Sequence, residues 1–580
     1  MPNRAGWGAA AAYLALASVY LLYLPHAEFV LDDWQVLGRY QQAREKGPEA
    51  QIQVAVDLLR NQFHGQFRFQ WISFNIGYLL FLLAGYAPAV PYAVSLAVHT
   101  ASALALRDAA GKLGFGSGTA FLAGAFFILW PAAHGPLLWS HNCLFFVWAT
   151  FWFLLYLRSL ASSLAAGSLG AGAAVRQAAL LVVALFSGDP VFGLLLAAAP
   201  LTAWFLGASF GPNGAGRRAT LLAWGTVATA AVIYAFLINR TPLFEWGVGL
   251  RYDFSPGSLI ANLGAIAATY RRLSGLGEGA FYQWRASVPA LVAAGVACAA
   301  TAVWLARRTN AASANLQNPA RATAPFGRGS ASVSEPRREG VVWRGRLRVW
   351  LFVAGLWMAA YGPIWFLRGH EYRYDYVPSP YAALALAAAV LALPRFRVAA
   401  AAALAGCLAA AVVWNLEQGW IPMSRHVRAL AAALRGLPPL EPGDLIIVSN
   451  TPMWLGTAPH FAFQAGWVSN PFAERVTGVT GLQTACEIVE EAGRLRVAHR
   501  DYVRDLAPNE HRGARALVVE RDGRLSEPGV LAQQIGPDAF RVYPLKGRAG
   551  PPATPALSRE QLRMLAGAVY FIRPSHAARD

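Results

Sequence analysis

Residues 7–34 read WGAAAAYLALASVYLLYLPHAEFVLDDW, and this stretch decides the class of protein. The run from Trp7 to Leu24 contains no charged residue. A bilayer is crossed by about 20 apolar residues in a helix, so this run reads as a first span. A cleaved signal peptide is the competing reading. Many apolar runs follow, so the segment reads as retained. Immediately beyond it stand two adjacent carboxylates, Asp32-Asp33.

The rest of the chain has the same character. Of 580 residues, 56% are hydrophobic and only 14% are charged, with a mean hydropathy of +0.37. Soluble domains carry roughly 25% charged residues, so lipid is the main solvent here. The net charge of +18 is not that of a nucleic-acid binder, because the basic residues sit in short segments between apolar runs. Arg107 with Lys112, Arg217-Arg218, Arg307-Arg308, Arg337-Arg338, Arg344, Arg346 and Arg348 form such segments, as a positive-inside bias produces. The four cysteines, Cys143, Cys298, Cys407 and Cys486, form no CxxC and read as small buried hydrophobes.

Eleven spans are expected, near 7–25, 89–107, 117–133, 143–158, 177–188, 191–207, 219–238, 287–306, 349–367, 379–394 and 397–414. The apolar stretch 71–86 reads as a re-entrant or interfacial helix within a first outer loop, 26–88. With the N-terminus cytoplasmic, the densest basic segment, 307–348, stays inside, as the charge rule requires. Residues 309–340, rich in Ala, Ser, Asn, Pro and Arg, read as a disordered cytoplasmic linker. Residues 1–415 form the membrane domain, and 416–580 a small extracytoplasmic α/β domain. In the latter, Asp444–Val448 and Ala516–Val519 read as buried strands and Ala485–Ala492 as a helix. Its histidines, His460, His499 and His511, are scattered and read as ordinary surface or core residues.

This topology sorts polar residues by side. Asp32-Asp33, Arg68, His134, His141-Asn142, Asp189 and the run His370-Glu371-Tyr372-Arg373-Tyr374-Asp375-Tyr376 all fall on the outer side. For Asp32-Asp33 one reading is an N-cap on a helix starting at Trp34. The other is an acceptor base or a divalent-metal ligand, since a second adjacent carboxylate adds repulsion that a cap does not need. Residues 50–63, AQIQVAVDLLRNQF, place Ile52, Ala55, Val56, Leu59 and Phe63 on one stripe of an amphipathic helix, lying on the membrane or packed on protein. Arg373, among three tyrosines, reads either as an interfacial anchor or as a bidentate phosphate ligand.

These residues resemble the GT-C membrane glycosyltransferases, which use polyprenyl-phosphate sugars as donors. The likeness is closest to the branch of protein O-mannosyltransferases and lipid A aminoarabinose transferases. Phe29-Val-Leu-Asp-Asp-Trp34 resembles the family's acidic first outer loop. Gln66-Phe-Arg-Phe-Gln70, the apolar helix after it, Gly85 and a span ending near His99 resemble its Arg-Pro-Leu segment and sequel. Trp130-Pro-Ala-Ala-His134 through Trp139-Ser-His-Asn142 resembles its second outer loop, and Ser187-Gly-Asp-Pro190 stands where many members carry Lys-Glu. Arg373-Tyr-Asp-Tyr-Val-Pro-Ser379 resembles a late Arg-Tyr-x-Tyr-x-Pro-Ser segment. The five segments occur in order over residues 7–415. Three departures stand out: no proline follows Arg68, His141-Asn142 replace Arg and Asp, and Asp189 replaces a glutamate.

The resemblance implies an α-helical multi-pass enzyme, in the inner membrane of a bacterium, that inverts the anomeric centre. Its partners would be a polyprenyl-phosphate sugar, membrane lipids and an envelope acceptor. It makes Asp32 and Asp33 catalytic or, with a divalent cation, metal-binding. It places Arg373, Arg68 and Tyr376 on the donor phosphate, with His141, Asp189 and Glu371 as secondary candidates. A non-catalytic relative that binds lipid, and a transporter of lipid-linked sugars, are the competing readings. A transporter would carry acids or broken helices mid-span and repeated halves, and no repeat is evident.

Overall fold

The computed structural model describes residues 4–29, 32–59, 71–85, 87–237, 255–273, 288–316, 338–362, 365, 372–393, 396–437, 439–449 and, between 454 and 574, the segments holding its strands and last helix. The helices in chain order are α1 (Arg4–Ala17), α2 (Asp32–Lys46), α3 (Pro48–Leu59), α4 (Trp71–Ala84), α5 (Ala89–Lys112), α6 (Ser117–Ile128), α7 (His134–Leu138), α8 (Ser140–Ala165) and α9 (Ala171–Ser187). They continue with α10 (Phe192–Leu206), α11 (Ala215–Leu237), α12 (Pro256–Leu273), α13 (Val288–Leu316), α14 (Arg338–Tyr361), α15 (Ser379–Leu391), α16 (Arg397–Asn415), α17 (Ile421–Arg435) and α18 (Gly466–Thr477). Short 3-10 turns at Pro131–Ala133, Asp189–Val191 and Tyr372–Tyr376 interrupt the apolar helices.

The chain is a helical multi-pass membrane protein with a small α/β region at its C-terminal end. Each of the eleven expected apolar runs holds a helix among its described residues. Among the described residues, four helices are long and apolar enough to cross a membrane: Trp7–His26, Ala89–Lys112, Phe145–Ala165 and Arg397–Arg435. Ser117–Ile128 and Pro131–Leu138, bent by 47°, make a fifth as one broken span. Other apolar helices, such as Ala171–Ser187 and Phe192–Leu206, are shorter. A helix of 15 residues is about 22 Å long, less than the ~30 Å hydrocarbon core. Turns at Pro131–Ala133 and Asp189–Val191 cut the apolar runs where the sequence supplies proline.

The described residues fall into two compact units: Met1–Pro25 with Ile52–Leu416, and His26–Gln51 with Glu417–Asp580. The first outer loop is therefore divided, and its acidic half belongs with the C-terminal unit. The polar helix α2 buries Asp33, Trp34, Val36, Leu37, Tyr40 and Ala43, a stripe at helical spacing that needs a protein surface to cover it.

In the membrane unit, helices approach through small residues, as lipid-embedded bundles do. A side chain at Gly124 would collide with the Tyr13 hydroxyl and lie 2.9 Å from the Ala103 carbonyl oxygen. At Gly406 it would collide with Cys298 Sγ, where α13 packs on α16. Tyrosine hydroxyls reach α6 carbonyls: Tyr13 donates to Phe121 O inside the helix at 2.8 Å, and Tyr20 to Ile128 O at its last residue at 3.0 Å.

In the C-terminal unit, α17 buries Met423, Val427, Leu430 and Leu434. The strands are β1 (Leu445–Ser449), β2 (Trp454–Leu455), β3 (Ala458–Pro459), β4 (Gln483–Ala485), β5 (Glu487–Glu491), β6 (Arg494–Ala498), β7 (Val503–Asp505), β8 (Ala514–Val519), β9 (Leu525–Ser526), β10 (Pro528–Gly536), β11 (Ala539–Pro544) and β12 (Ala568–Pro574). One sheet has the order β4-β1-β8-β9, with β1 parallel to both neighbours, so the apolar run of β1 is buried as a central strand should be. The second has the order β11-β10-β12-β5-β6-β7.

Three expectations are corrected. The helix expected over Ala485–Ala492 is strand β5, paired antiparallel with β6 so that Glu491 faces Arg494 and Glu487 faces Ala498. A short run with apolar residues at its centre has no decisive period, and the cross-strand partner settles it. α2 begins at Asp32, so the acidic pair lies in its first turn instead of capping a helix from Trp34. The expected linker is helical at its start, because α13 runs on to Leu316, and at its end, because α14 starts at Arg338; residues 317–337 lie outside the described residues.

Candidate functional site

Two of the motifs meet in the membrane unit. The turn Tyr372–Tyr376, at the start of α15, packs against the turn Pro131–Ala133 and the short helix α7, more than 200 residues earlier. Helices α8 and α12 also contact the later turn.

Each described side chain of that turn is fixed by a different element. Tyr374 packs on Phe146 of α8, with ring centroids 5.8 Å apart. Asp375 is fully buried and accepts a hydrogen bond from the Tyr361 hydroxyl at the end of α14. Tyr376 is fully buried and its hydroxyl lies 2.7 Å from His99 Nδ1 of α5. The other nitrogen of His99, Nε2, lies 3.2 Å from the Ile128 carbonyl oxygen. A carbonyl only accepts, so Nε2 carries the proton and Nδ1 accepts from the tyrosine. The same carbonyl receives the Tyr20 hydroxyl, so the last residue of α6 ties three elements together.

Neighbouring contacts complete the frame. His134 Nδ1 lies 2.6 Å from Pro131 O, and Nε2 3.2 Å from Val412 O of α16. Asn262 of α12 donates to Trp365 O at 2.9 Å, and Ile266, Tyr361 and Trp365 form a small buried cluster. Ser73 of α4 donates to Ser187 O at the end of α9. At Gly188 a side chain would collide with the Phe145 carbonyl oxygen, which explains glycine before Asp189. Asp189 stands in the turn that contacts α8, α10 and α14.

The acidic loop is built separately, within the C-terminal unit. Trp34 donates its indole N–H to Phe29 O at 3.0 Å and stacks edge-on with Phe29 at 5.8 Å and with Phe472 of α18 at 4.9 Å. Asp33 is only 3% exposed. Glu28, just before the pair, accepts from Arg428 of α17 at 3.2 Å, and Arg428 also donates to Ala27 O at 3.3 Å. Burial pushes the Glu28 carboxyl above its usual range, and the Arg428 hydrogen bond and charge offset part of that.

The expected site residues therefore fare differently. Asp33 and Tyr376 are both buried. The Tyr376 hydroxyl, expected on a phosphate, lies against His99 Nδ1. Asp32, His141, Asp189 and Arg373 have described backbones, in α2, α8 and the two turns, while their side chains lie outside the described residues. Arg68 and Glu371 lie outside them altogether. Among the described residues no group of three or more His, Cys, Asp or Glu side chains gathers as a metal-binding set. Sequence reasoning passed over His99, Asp375 and Tyr361 as functional residues. The available signal was an ionisable residue inside or beside an apolar run, which is costly there and needs a partner.

The fold and site define a class: a multi-pass helical membrane protein with polar residues of separated motifs buried together among its apolar helices. No protein-family model matches the chain, and no curated protein does. It is similar to two solved structures. One is the Archaeoglobus fulgidus oligosaccharyltransferase tethered with an acceptor peptide, at 14% identity and a TM-score of 0.39, covering 82% of this chain and 63% of that one. The other is ArnT from Cupriavidus metallidurans bound to undecaprenyl phosphate, at 16% identity and a TM-score of 0.35, covering 83% of this chain and 90% of that one. The chain thus spans less than two thirds of the oligosaccharyltransferase.

Proposed function

We propose that this chain is a membrane glycosyltransferase that moves a sugar from a polyprenyl-phosphate donor to an envelope lipid, glycan or protein acceptor at the outer membrane face. The observation that carries the reading is the seating of the Tyr372–Tyr376 turn on Pro131–Ala133, with Asp375 and Tyr376 locked by Tyr361 and His99. Two of the segments that resemble the family thereby share one place in the membrane unit.

In the reaction, the acceptor hydroxyl oxygen forms a bond to the anomeric carbon as the bond from that carbon to the phosphate oxygen breaks. The acceptor proton goes to Asp32 or Asp33, and polyprenyl phosphate departs. Phosphate is already a good leaving group, so the enzyme's work is to take the acceptor proton and to stabilise the charge that develops on the phosphate. Arg373 is assigned to that charge, because a guanidinium holds phosphate bidentately. Arg68, His141, Asp189 and Glu371 are assigned as further acceptor or phosphate contacts. A single displacement inverts the anomeric centre.

The test is mass spectrometry of envelope glycans and lipids in a strain lacking the protein. Loss of one sugar substituent, restored by the intact chain and not by Asp33→Asn, is the expected result. An unchanged envelope, with undecaprenyl phosphate still bound by the purified chain, would instead favour the non-catalytic relative that binds lipid.

A further inference from the structure

The acidic helix does not stand alone. Within the C-terminal unit, α2 packs along α18, and α18 is itself fastened to the first sheet. Thr484 of β4 donates to Asn470 Oδ1 at 2.5 Å, and the Gly481 backbone N–H donates to Glu474 Oε1 at 2.7 Å. These two bonds hold both halves of α18 against the sheet edge.

The contact with α2 is close and apolar. Phe472 is fully buried and meets the Trp34 ring at 4.9 Å, one residue after Asp33. Pro471 lies so near Gly38 that a side chain there would sit 3.3 Å from its Cβ. The buried stripe of α2 continues through Val36, Leu37, Tyr40 and Ala43, although the helix as a whole is polar. The Arg428 bridge to Glu28 and Ala27 pins the chain just before the helix from α17.

We propose that the C-terminal unit is the holder of the acid-bearing helix, with Phe472 and Pro471 acting through Trp34 and Gly38 as positioning residues for Asp32-Asp33. The function of that unit is then to fix two carboxylates in one orientation, a role that rests on the glycosyltransferase reading. Such a holder is needed because a catalytic base must be placed to within a fraction of an ångström. A short polar helix isolated in water is marginally stable.

The test uses the full-length chain with its four native cysteines replaced. Val36→Cys, on the buried stripe (6% exposed), reports on α2 through its rate of reaction with a water-soluble maleimide in membranes. Phe472→Ala is expected to raise that rate at least tenfold, while Phe472→Leu keeps it slow by restoring apolar bulk. Gly38→Val pushes the same contact apart from the α2 side and is expected to raise the rate as well, which covers the case of an unstable Phe472→Ala chain. Equal rates in all variants overturn the proposal. Glycan transfer in cells should fall with Phe472→Ala and recover with Phe472→Leu. Full transfer by a chain whose α2 has become reactive also overturns it. Undecaprenyl phosphate binding by the same preparations separates the two readings. It is expected in the parent and in Phe472→Ala alike; its absence from the parent sinks the donor assignment and leaves the labelling result standing.

Discussion

The Tyr376 hydroxyl donates to His99 Nδ1 across 2.7 Å, joining residues 277 positions apart. With Nε2 of the same ring on Ile128 O, His99 is saturated, and the turn that carries Arg373 is pinned at one end. Tyr376→Phe leaves a buried acceptor unpaired. It should lower stability by about 1–3 kcal/mol, with a small effect on transfer in chains that remain folded. Thermal unfolding in detergent measures this, and an unchanged melting temperature would remove the anchoring role.

The neighbouring residue of the turn, Asp375, is held by Tyr361. Tyr361→Phe takes a hydrogen-bond donor from a fully buried carboxyl group, and bonds to charged groups are worth about 1.5–3 kcal/mol. The loss should equal or exceed that of Tyr376→Phe and should appear also as weaker binding of undecaprenyl phosphate. Asp375→Asn, which keeps an acceptor oxygen, should be milder.

Chemistry is assigned to other side chains. Asp32→Asn and Asp33→Asn are expected to abolish transfer while leaving accumulation in the membrane intact. Arg373→Ala should weaken donor binding by two orders of magnitude or more, because a bidentate phosphate contact is lost. Full activity in the doubly substituted acidic pair would withdraw its assignment, and an unchanged donor affinity would make Arg373 an interfacial anchor.

Glu28 supplies a pH prediction. Its folded carboxyl is raised above the unfolded value of about 4.3, chiefly by burial, so the folded state binds the proton more tightly. Its contribution to stability is therefore full below the unfolded value and is lost as pH rises through the folded one. Glu28→Gln should flatten the melting temperature against pH over that window and cost little at neutral pH. Arg428→Ala removes the partner of a carboxylate only 16% exposed while losing a guanidinium that is 46% exposed. The expected loss is about 1 kcal/mol at neutral pH, fading toward acid.

Much of the architecture was legible in local composition. The apolar runs became helices, and the strands Asp444–Val448 and Ala516–Val519 appear within one residue or two as β1 and β8. The Glu487–Glu491 run was misread because five residues do not reveal a period until a partner strand is present. Where a continuous apolar run breaks was not legible, since composition says nothing about where a helix will bend, as at Ser117–Ile128 and Pro131–Leu138.

The site was legible only as a set of separate motifs. Composition alone fixed a lipid-solvated helical chain, because burying that many apolar residues in water is not an option for a protein so poor in charge. Which polar residues meet is decided by packing between segments hundreds of positions apart, and no local pattern encodes it. His99 found Tyr376, Tyr361 found Asp375, and the helix of Asp32-Asp33 found Phe472 only once the chain had closed on itself.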